Sequence, residues 1–227
     1  YLFLIIGVLS VLSTALLFVY KWLKLPTKNL TNIWGNFKDT IWVAVVIFLY
    51  FFFTAFGDSM LSYFGAEINS DEEKLGVIFG LYMIGAFIGM TFGQYFFLKV
   101  TYHVGTIIAL IVEALSVLFF VFLTDKSSYG LQITMFLLAG FTTSSTDAIV
   151  QTLSIDASGS GDMATFTYSW LQSLVSIGST LGGIAFPLCK KSLSWTNFWI
   201  TNAGVCVGLA IVFALLFIFI PSARKEH

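Results

Sequence analysis

The chain has 227 residues, of which 58% are hydrophobic, 18% aromatic and only 10% charged, and its formal net charge is -1. A soluble domain carries about 25% charged residues, so this composition excludes an ordinary soluble protein and favours one that spans a lipid bilayer. The sequence contains no basic stripe and therefore gives no sign of nucleic-acid binding.

Seven stretches of mostly apolar residues are long enough to cross a bilayer, which takes about 20 residues in a helix. In chain order they are Leu2–Tyr20, Ile41–Phe64, Leu75–Leu98, Gly105–Thr124, Gly130–Leu153, Ala164–Leu188 and Thr196–Ile220. Strands of a membrane barrel would alternate in segments of about ten residues, whereas these runs are continuous. The sequence therefore predicts an all-α, polytopic, multi-pass membrane protein with seven transmembrane helices.

A long basic loop separates the first helix from the other six. It reads KWLKLPTKNLTNIWGNFKDT, and its Trp22 and Trp34 suit the headgroup level of a membrane. The chain enters a hydrophobic helix directly at Tyr1 without a basic leader segment, a start typical of a truncated chain. These features predict a helix over residues 1–20, a linker over 21–40, a six-helix bundle over 41–220 and a cytoplasmic tail over 221–227.

Lysine and arginine residues in short loops indicate which side of the membrane faces the cytoplasm. One set of alternate loops, with the tail, holds seven of them: Lys21, Lys24, Lys28, Lys38, Lys99, Arg224 and Lys225. The opposite loops hold four: Lys74, Lys126, Lys190 and Lys191. We place the first set in the cytoplasm. Asn29 begins a glycosylation sequon in that set, and we predict that it carries no glycan.

Glycines recur every four residues in the third predicted helix, and such a spacing lets two helix backbones approach closely. The same spacing occurs at Gly76–Gly80, Gly85–Gly89–Gly93, Gly178–Gly182 and Gly204–Gly208. Glycine is frequent in membrane helices, so each pair also fits ordinary packing without functional motion. The residues expected at helix contacts are Gly85, Gly89, Gly93, Gly178 and Gly182.

Three acidic residues, Asp58, Glu113 and Asp147, fall inside predicted helices. A charge near the bilayer centre costs at least about 2.5–3.5 kcal/mol, so such residues usually face a cavity, pair with another group or bind a proton. An acid close to a helix end can instead reach the headgroups, and this alternative stays open for all three. The predicted helices offer no internal lysine or arginine, so a functional acid needs a proton, a cation or an outside partner.

Asp147 belongs to a polar stripe on the fifth helix, because Thr143 and Gln151 lie four residues before and after it. Asp58 shares a face with Thr54 in the same way. The sixth helix carries polar residues at Ser169, Gln172, Ser173, Ser176, Ser179 and Thr180. We predict that three helices line one wet path through Asp147, Gln151, Thr143, Asp58, Thr54, Gln172, Ser173 and Ser176. Glu113 has only Thr106 and Ser116 at helical spacing, and we leave it outside this path.

Groups that serve enzyme chemistry are scattered along the sequence. His103 and His227 lie at helix or chain ends, and Cys189 and Cys206 have no metal-binding or redox spacing. A Ser-His-Asp set and a nucleotide-binding loop are also missing from the sequence. We therefore expect a protein that is not an enzyme and has no metal or cofactor.

The predicted order of elements resembles the later part of a major facilitator superfamily protein. It consists of one helix, a basic linker and six further helices, and the third and sixth predicted segments of the chain are rich in glycine. In that superfamily two six-helix halves face each other. The resemblance implies that the first helix closes the amino-terminal half and that the next six form the carboxy-terminal half. The superfamily's loop signature is matched only by GQYFFLKVTYHVG, Gly93–Gly105, which lacks its aspartate and arginines.

Within the superfamily, TDAIVQT at Thr146–Thr152 and the later ATFTYSWLQSLVSIGS are similar to motifs of Unc-ninety-three-like proteins. Those proteins resemble transporters but are known partly as ion-channel regulators or trafficking chaperones. The resemblance therefore leaves two functions. One is a solute transporter that works by alternating access, with the bilayer, an amino-terminal half or another membrane subunit, and a solute or proton as partners. The other is an accessory membrane subunit that transports nothing.

Overall fold

The computed structural model describes residues 33–68, 71–93, 95, 102–158, 164–190 and 192–219. The chain divides into two units, Tyr1–Gly35 and Asn36–His227. The predicted first helix, Asn29 and the predicted tail all lie outside the described residues, and only the start of one helix represents the first unit.

The described residues form six α-helices and contain no strand. They are α1 Ile33–Ile68, α2 Glu72–Ile88, α3 Tyr102–Leu118, α4 Tyr129–Ser158, α5 Ala164–Lys190 and α6 Trp195–Phe219. A π-helical turn, Gly89–Gly93, extends α2, and a 3-10 turn, Phe119–Phe122, extends α3. Each helix coincides with one of the last six predicted segments, so the prediction of an all-α, polytopic protein is confirmed.

Two helices are longer than their predicted apolar segments. α1 begins at Ile33 instead of Ile41, so part of the predicted linker is helical. α4 continues past Leu153 to Ser158. The hydroxyl of Ser154 donates to the carbonyl of Gln151 at 2.6 Å, so this polar side chain is satisfied by its own helix and does not end it.

Four described segments are long and apolar enough to cross a membrane: Glu72–Gly93, Val104–Phe122, Tyr129–Ser158 and Trp195–Ile218. α1 contributes a shorter apolar helix, Thr40–Thr54. α5 is absent from this set and carries many hydroxyl side chains.

Buried apolar side chains form two clusters. The first includes Ile47, Leu110, Val150, Leu171 and Phe213. The second includes Phe64, Ile78, Phe120, Phe136 and Trp199. α1, α3, α4 and α6 each contribute one end to the first cluster and the other end to the second. The clusters therefore lie at opposite ends of this bundle, and the polar residues between them lie at its middle level.

Glycines on α2 bring its backbone against that of α4. A Cβ on Gly85 would overlap the carbonyl oxygen of Leu137, and a Cβ on Gly89 would overlap the carbonyl oxygen of Phe141. Only glycine fits at such positions, because the obstructing atoms are backbone atoms that cannot rotate away. Close approach of this kind favours Cα–H···O contacts between helices.

The π-helical turn continues this contact. A Cβ on Gly93 would overlap the side chain of Ser145. The hydroxyl of Ser145 lies 3.2 Å from the carbonyl oxygen of Gly89 and 2.6 Å from that of Phe141. A π-turn disturbs the regular helical ladder, and Ser145 therefore supplies a donor from α4 to the helix that contains the turn.

The other glycines with four-residue spacing have different surroundings. A Cβ on Gly178 of α5 would lie 3.0 Å from the carbonyl oxygen of Phe48 on α1, and Gly182 is buried. A Cβ would meet nothing within 4 Å at Gly76, Gly80, Gly204 or Gly208. The spacing therefore marks a close contact at some positions and open space at others.

α2 begins with a side-chain cap. Asp71 Oδ1 accepts hydrogen bonds from the backbone N–H groups of Glu73, at 3.1 Å, and Lys74, at 3.4 Å. The backbone N–H of Lys74 holds the pKa of the Asp71 carboxyl below its ordinary value. A depressed pKa means that the cap is fully present above the pKa of the unfolded chain and is lost as pH falls through the folded value.

We therefore expect acidification to loosen the first turn of α2 before the rest of the helix. Amide hydrogen exchange at Glu73 and Lys74, corrected for its intrinsic pH dependence, should accelerate at acidic pH and after Asp71→Ala. In Asp71→Asn, which caps without titrating, protection should no longer depend on pH. Unchanged protection in Asp71→Ala would contradict the role of this cap.

Candidate functional site

The polar stripe predicted on the fifth helix lies on α4. Thr143 and Ser144 are buried, at 5% and 8% exposure, whereas Asp147 and Gln151 are half-buried. The hydroxyl of Thr146 donates to a carbonyl of its own helix at 3.0 Å. Asp147 is therefore the ionisable member of a polar row on α4 that begins at buried hydroxyl residues.

Asp147 is joined to α1 by a hydrogen bond from a buried tyrosine. The hydroxyl of Tyr50 donates to Oδ1 of Asp147 at 2.9 Å, and the Tyr50 side chain is 0% exposed. One turn further along α1, the hydroxyl of Thr54 donates to the carbonyl of Tyr50 at 3.0 Å. The bond places the carboxylate at the α1–α4 contact, and Asp147 as a residue is half-buried.

α4 and α5 are linked by a second polar contact. The side-chain amide of Gln172 donates to the hydroxyl of Ser154 at 3.1 Å, and Ser154 is wholly buried. The structure therefore joins Gln172 to α4 near the end that follows Asp147. The sequence predicts Gln172 as a path residue but does not identify its partner.

Hydroxyl side chains form an exposed stripe along α5. Its members are Ser169, Ser173, Ser176 and Thr180, and each donates to the carbonyl four residues before it. Steps of four, three and four residues keep them on one helix face. Leu171 and Gly178 are buried on the opposite face, so this hydroxyl stripe points away from the other described helices.

Asp58 belongs to α1 by its backbone, but its side chain lies outside the described residues. The other predicted path residues divide into two groups. Thr54, Thr143, Asp147, Gln151 and Gln172 are buried or half-buried, whereas Ser173 and Ser176 are exposed. The structure therefore brings Asp147 to α1 and Gln172 to α4, and it leaves the α5 serines on the outside of the described helices.

A small cavity of about 10 Å³ lies between α1, α3, α4 and α6. Its polar lining residues are Thr54, Glu113, Thr143, Trp199 and Asn202. Glu113 is 2% exposed, Asn202 3% and Trp199 1%. The sequence alone does not assign Glu113, Trp199 or Asn202 to a site. Glu113 is visible as an embedded acid, but its neighbours come from other helices, which spacing along α3 cannot reveal.

Apolar helices long enough to cross a bilayer, packed around buried polar side chains, define an integral membrane protein with a polar interior. The Major Facilitator Superfamily model matches residues 43–227. This match begins within α1 and covers most of the chain, so the chain belongs to the Major Facilitator Superfamily, a family of transporter-type proteins. No curated protein and no solved structure matches the chain. Among the described residues, no group of three or more His, Cys, Asp or Glu side chains is placed to hold a metal ion.

Proposed function

We propose that the chain acts as the carboxy-terminal half of a transporter that moves a small solute by alternating access, with Asp147 as the ionisable group of its path. The observation that carries this proposal is the hydrogen bond between Tyr50 and the half-buried Asp147 at the α1–α4 contact. An acid at this depth is costly unless it has a partner, a proton or access to water. A bond that holds one side of the carboxylate while the residue stays partly accessible suits a group that gains and loses a proton.

The hydroxyl stripe of α5 supports the same proposal. In the superfamily two six-helix bundles face each other around a central site, and the stripe faces away from the other helices described in this bundle. We therefore assign Ser173 and Ser176 to the wall that meets water, solute or the second bundle. Each hydroxyl is also satisfied by its own helix, so exposure to lipid is the competing placement.

Chemical labelling separates these two placements. In a background of Cys189→Ser and Cys206→Ser, we expect Ser173→Cys and Ser176→Cys to react with a hydrophilic, membrane-impermeant maleimide. Ile108→Cys and Ile111→Cys are controls on the exposed apolar face of α3, at 38% and 43% exposure, within a segment apolar enough to cross a membrane. They should remain unlabelled in membranes, because a lipid-facing thiol is shielded from the reagent and remains protonated. Equal labelling of serine and isoleucine positions would remove the α5 stripe from the path.

The second candidate is an accessory subunit of the Unc-ninety-three-like kind. The observation that favours it is the bond between Asp147 and Tyr50, which is 0% exposed, because a carboxylate held by a buried donor also suits a purely structural role. In such a subunit, the Tyr50–Asp147 bond would stabilise the bundle without titrating. Its partner would be another membrane protein, bound within the bilayer.

A further inference from the structure

The cavity between α1, α3, α4 and α6 contains two buried polar atoms that have no hydrogen-bond partner in the described structure. They are Nε1 of Trp199, a donor, and Oδ1 of Asn202, an acceptor. The two residues are three apart on α6, so they lie on one face of the helix, and both line the cavity. Buried polar groups without partners are destabilising, and this pair therefore calls for a small polar occupant.

The size and chemistry of the cavity suit one water molecule. A water needs about 10–15 Å³ and two to four polar partners, and the cavity offers about 10 Å³. A water in this cavity would accept a hydrogen bond from the indole N–H of Trp199 and donate one to Oδ1 of Asn202. Thr54 already donates its hydroxyl proton to Tyr50, so its oxygen is able to accept the second hydrogen. The indole N–H also disfavours a metal cation, because a donor hydrogen and a cation repel each other.

Glu113 gives this cavity a titratable group. It is 2% exposed, and it lies in the middle of a segment, Val104–Phe122, that is apolar enough to cross a membrane. A carboxylate at such a depth is costly, whereas a protonated carboxyl is neutral and donates one hydrogen bond. A water that accepts from the indole still has one lone pair for this O–H donor.

We propose that this cavity is a proton-binding site, in which Glu113 keeps a proton and one water held by Trp199 and Asn202 solvates its carboxyl group. The titratable groups nearest to this site on the surrounding helices are Tyr50, Asp147 and Cys206. Tyr50 on α1 lies within electrostatic reach of Glu113, of Asp147 on α4 and of Cys206 on α6. The site is separate from the α5 stripe, and the proposal does not depend on transport.

Infrared spectroscopy of the purified full chain in detergent tests whether Glu113 is protonated. We expect a C=O stretching band of a protonated carboxyl at neutral pH. The band should shift when all glutamates carry a heavy carboxyl carbon and should stay in place when all aspartates do. Because this measurement uses the unmutated chain, it stands even if variants fold poorly. A neutral-pH spectrum without a glutamate-dependent band would overturn the proposal.

Matched variants locate the band and its water. Glu113→Gln should abolish the band, whereas Asp147→Asn should leave it. Trp199→Phe and Asn202→Leu should each shift its frequency, because the bridging water is lost. A band that survives Glu113→Gln in a folded protein would assign the proton elsewhere. A band that disappears when sodium replaces choline in the buffer would identify a cation site, and no shift in either α6 variant would exclude the water.

Discussion

Gly89→Leu is expected to separate α2 from α4 and to prevent the chain from forming its native bundle. A side chain at this position would enter the space of the Phe141 carbonyl group. Overpacking costs about 1–3 kcal/mol where neighbouring atoms can shift, and the cost should exceed that range here because the obstructing atoms belong to a helix backbone. Size-exclusion chromatography and thermal unfolding in detergent should show aggregation or a large fall in melting temperature.

The same helix provides a control. Gly80 is exposed, and a Cβ there would meet nothing within 4 Å, so Gly80→Leu should elute and melt like the unmodified chain. Gly140→Leu should reproduce the defect from the other side of the contact, because its Cβ would overlap the carbonyl oxygen of Tyr82 on α2. Normal melting of both Gly89→Leu and Gly140→Leu would contradict the proposed importance of this close approach.

The glycine pattern shows what a sequence predicts about packing between membrane helices. Spacing by four residues identifies positions on one helix face, and Gly85 and Gly89 do lie against α4. Gly204 and Gly208 have the same spacing on α6, yet open space surrounds both. Whether a face meets another backbone depends on the helix across from it, and no periodicity within one helix encodes that neighbour.

For the buried polar residues too, the sequence predicts positions along each helix but not their partners on other helices. The sequence predicts that Asp147 lies within the membrane, because it stands in an apolar segment. It also predicts that Thr143 and Gln151 share its helix face, because they are four residues away. Tyr50, which lies 97 residues away, becomes its partner only in the folded bundle. Glu113 appears isolated for the same reason, because the other polar groups of its cavity belong to α1, α4 and α6.

Asp147→Asn is expected to abolish accumulation of the solute driven by a pH gradient while leaving the fold intact. Asparagine has nearly the shape of the protonated acid, and its Oδ1 can still accept the hydrogen bond from the Tyr50 hydroxyl. It cannot titrate, so a step that needs proton release at this position should stop. Proteoliposomes that contain this chain together with an amino-terminal half and a trapped pH-sensitive dye would report the proton flux, and thermal unfolding would report stability.

Two variants separate loss of titration from loss of the bond. Tyr50→Phe removes the hydroxyl donor but keeps the carboxylate, and Asp147→Leu removes the acceptor and the charge together. In an accessory subunit, both should lower stability modestly, since a hydrogen bond within a membrane bundle contributes about 0.6–2 kcal/mol, and Asp147→Asn should be nearly neutral. In a transporter, Tyr50→Phe should retain proton flux with an altered pH profile, whereas Asp147→Asn and Asp147→Leu should both lose it. Asparagine keeps the shape of the protonated acid but cannot titrate. If Asp147→Asn leaves the proton flux and its pH dependence unchanged, the titration of Asp147 is not needed for flux, and Asp147 is not the coupling acid.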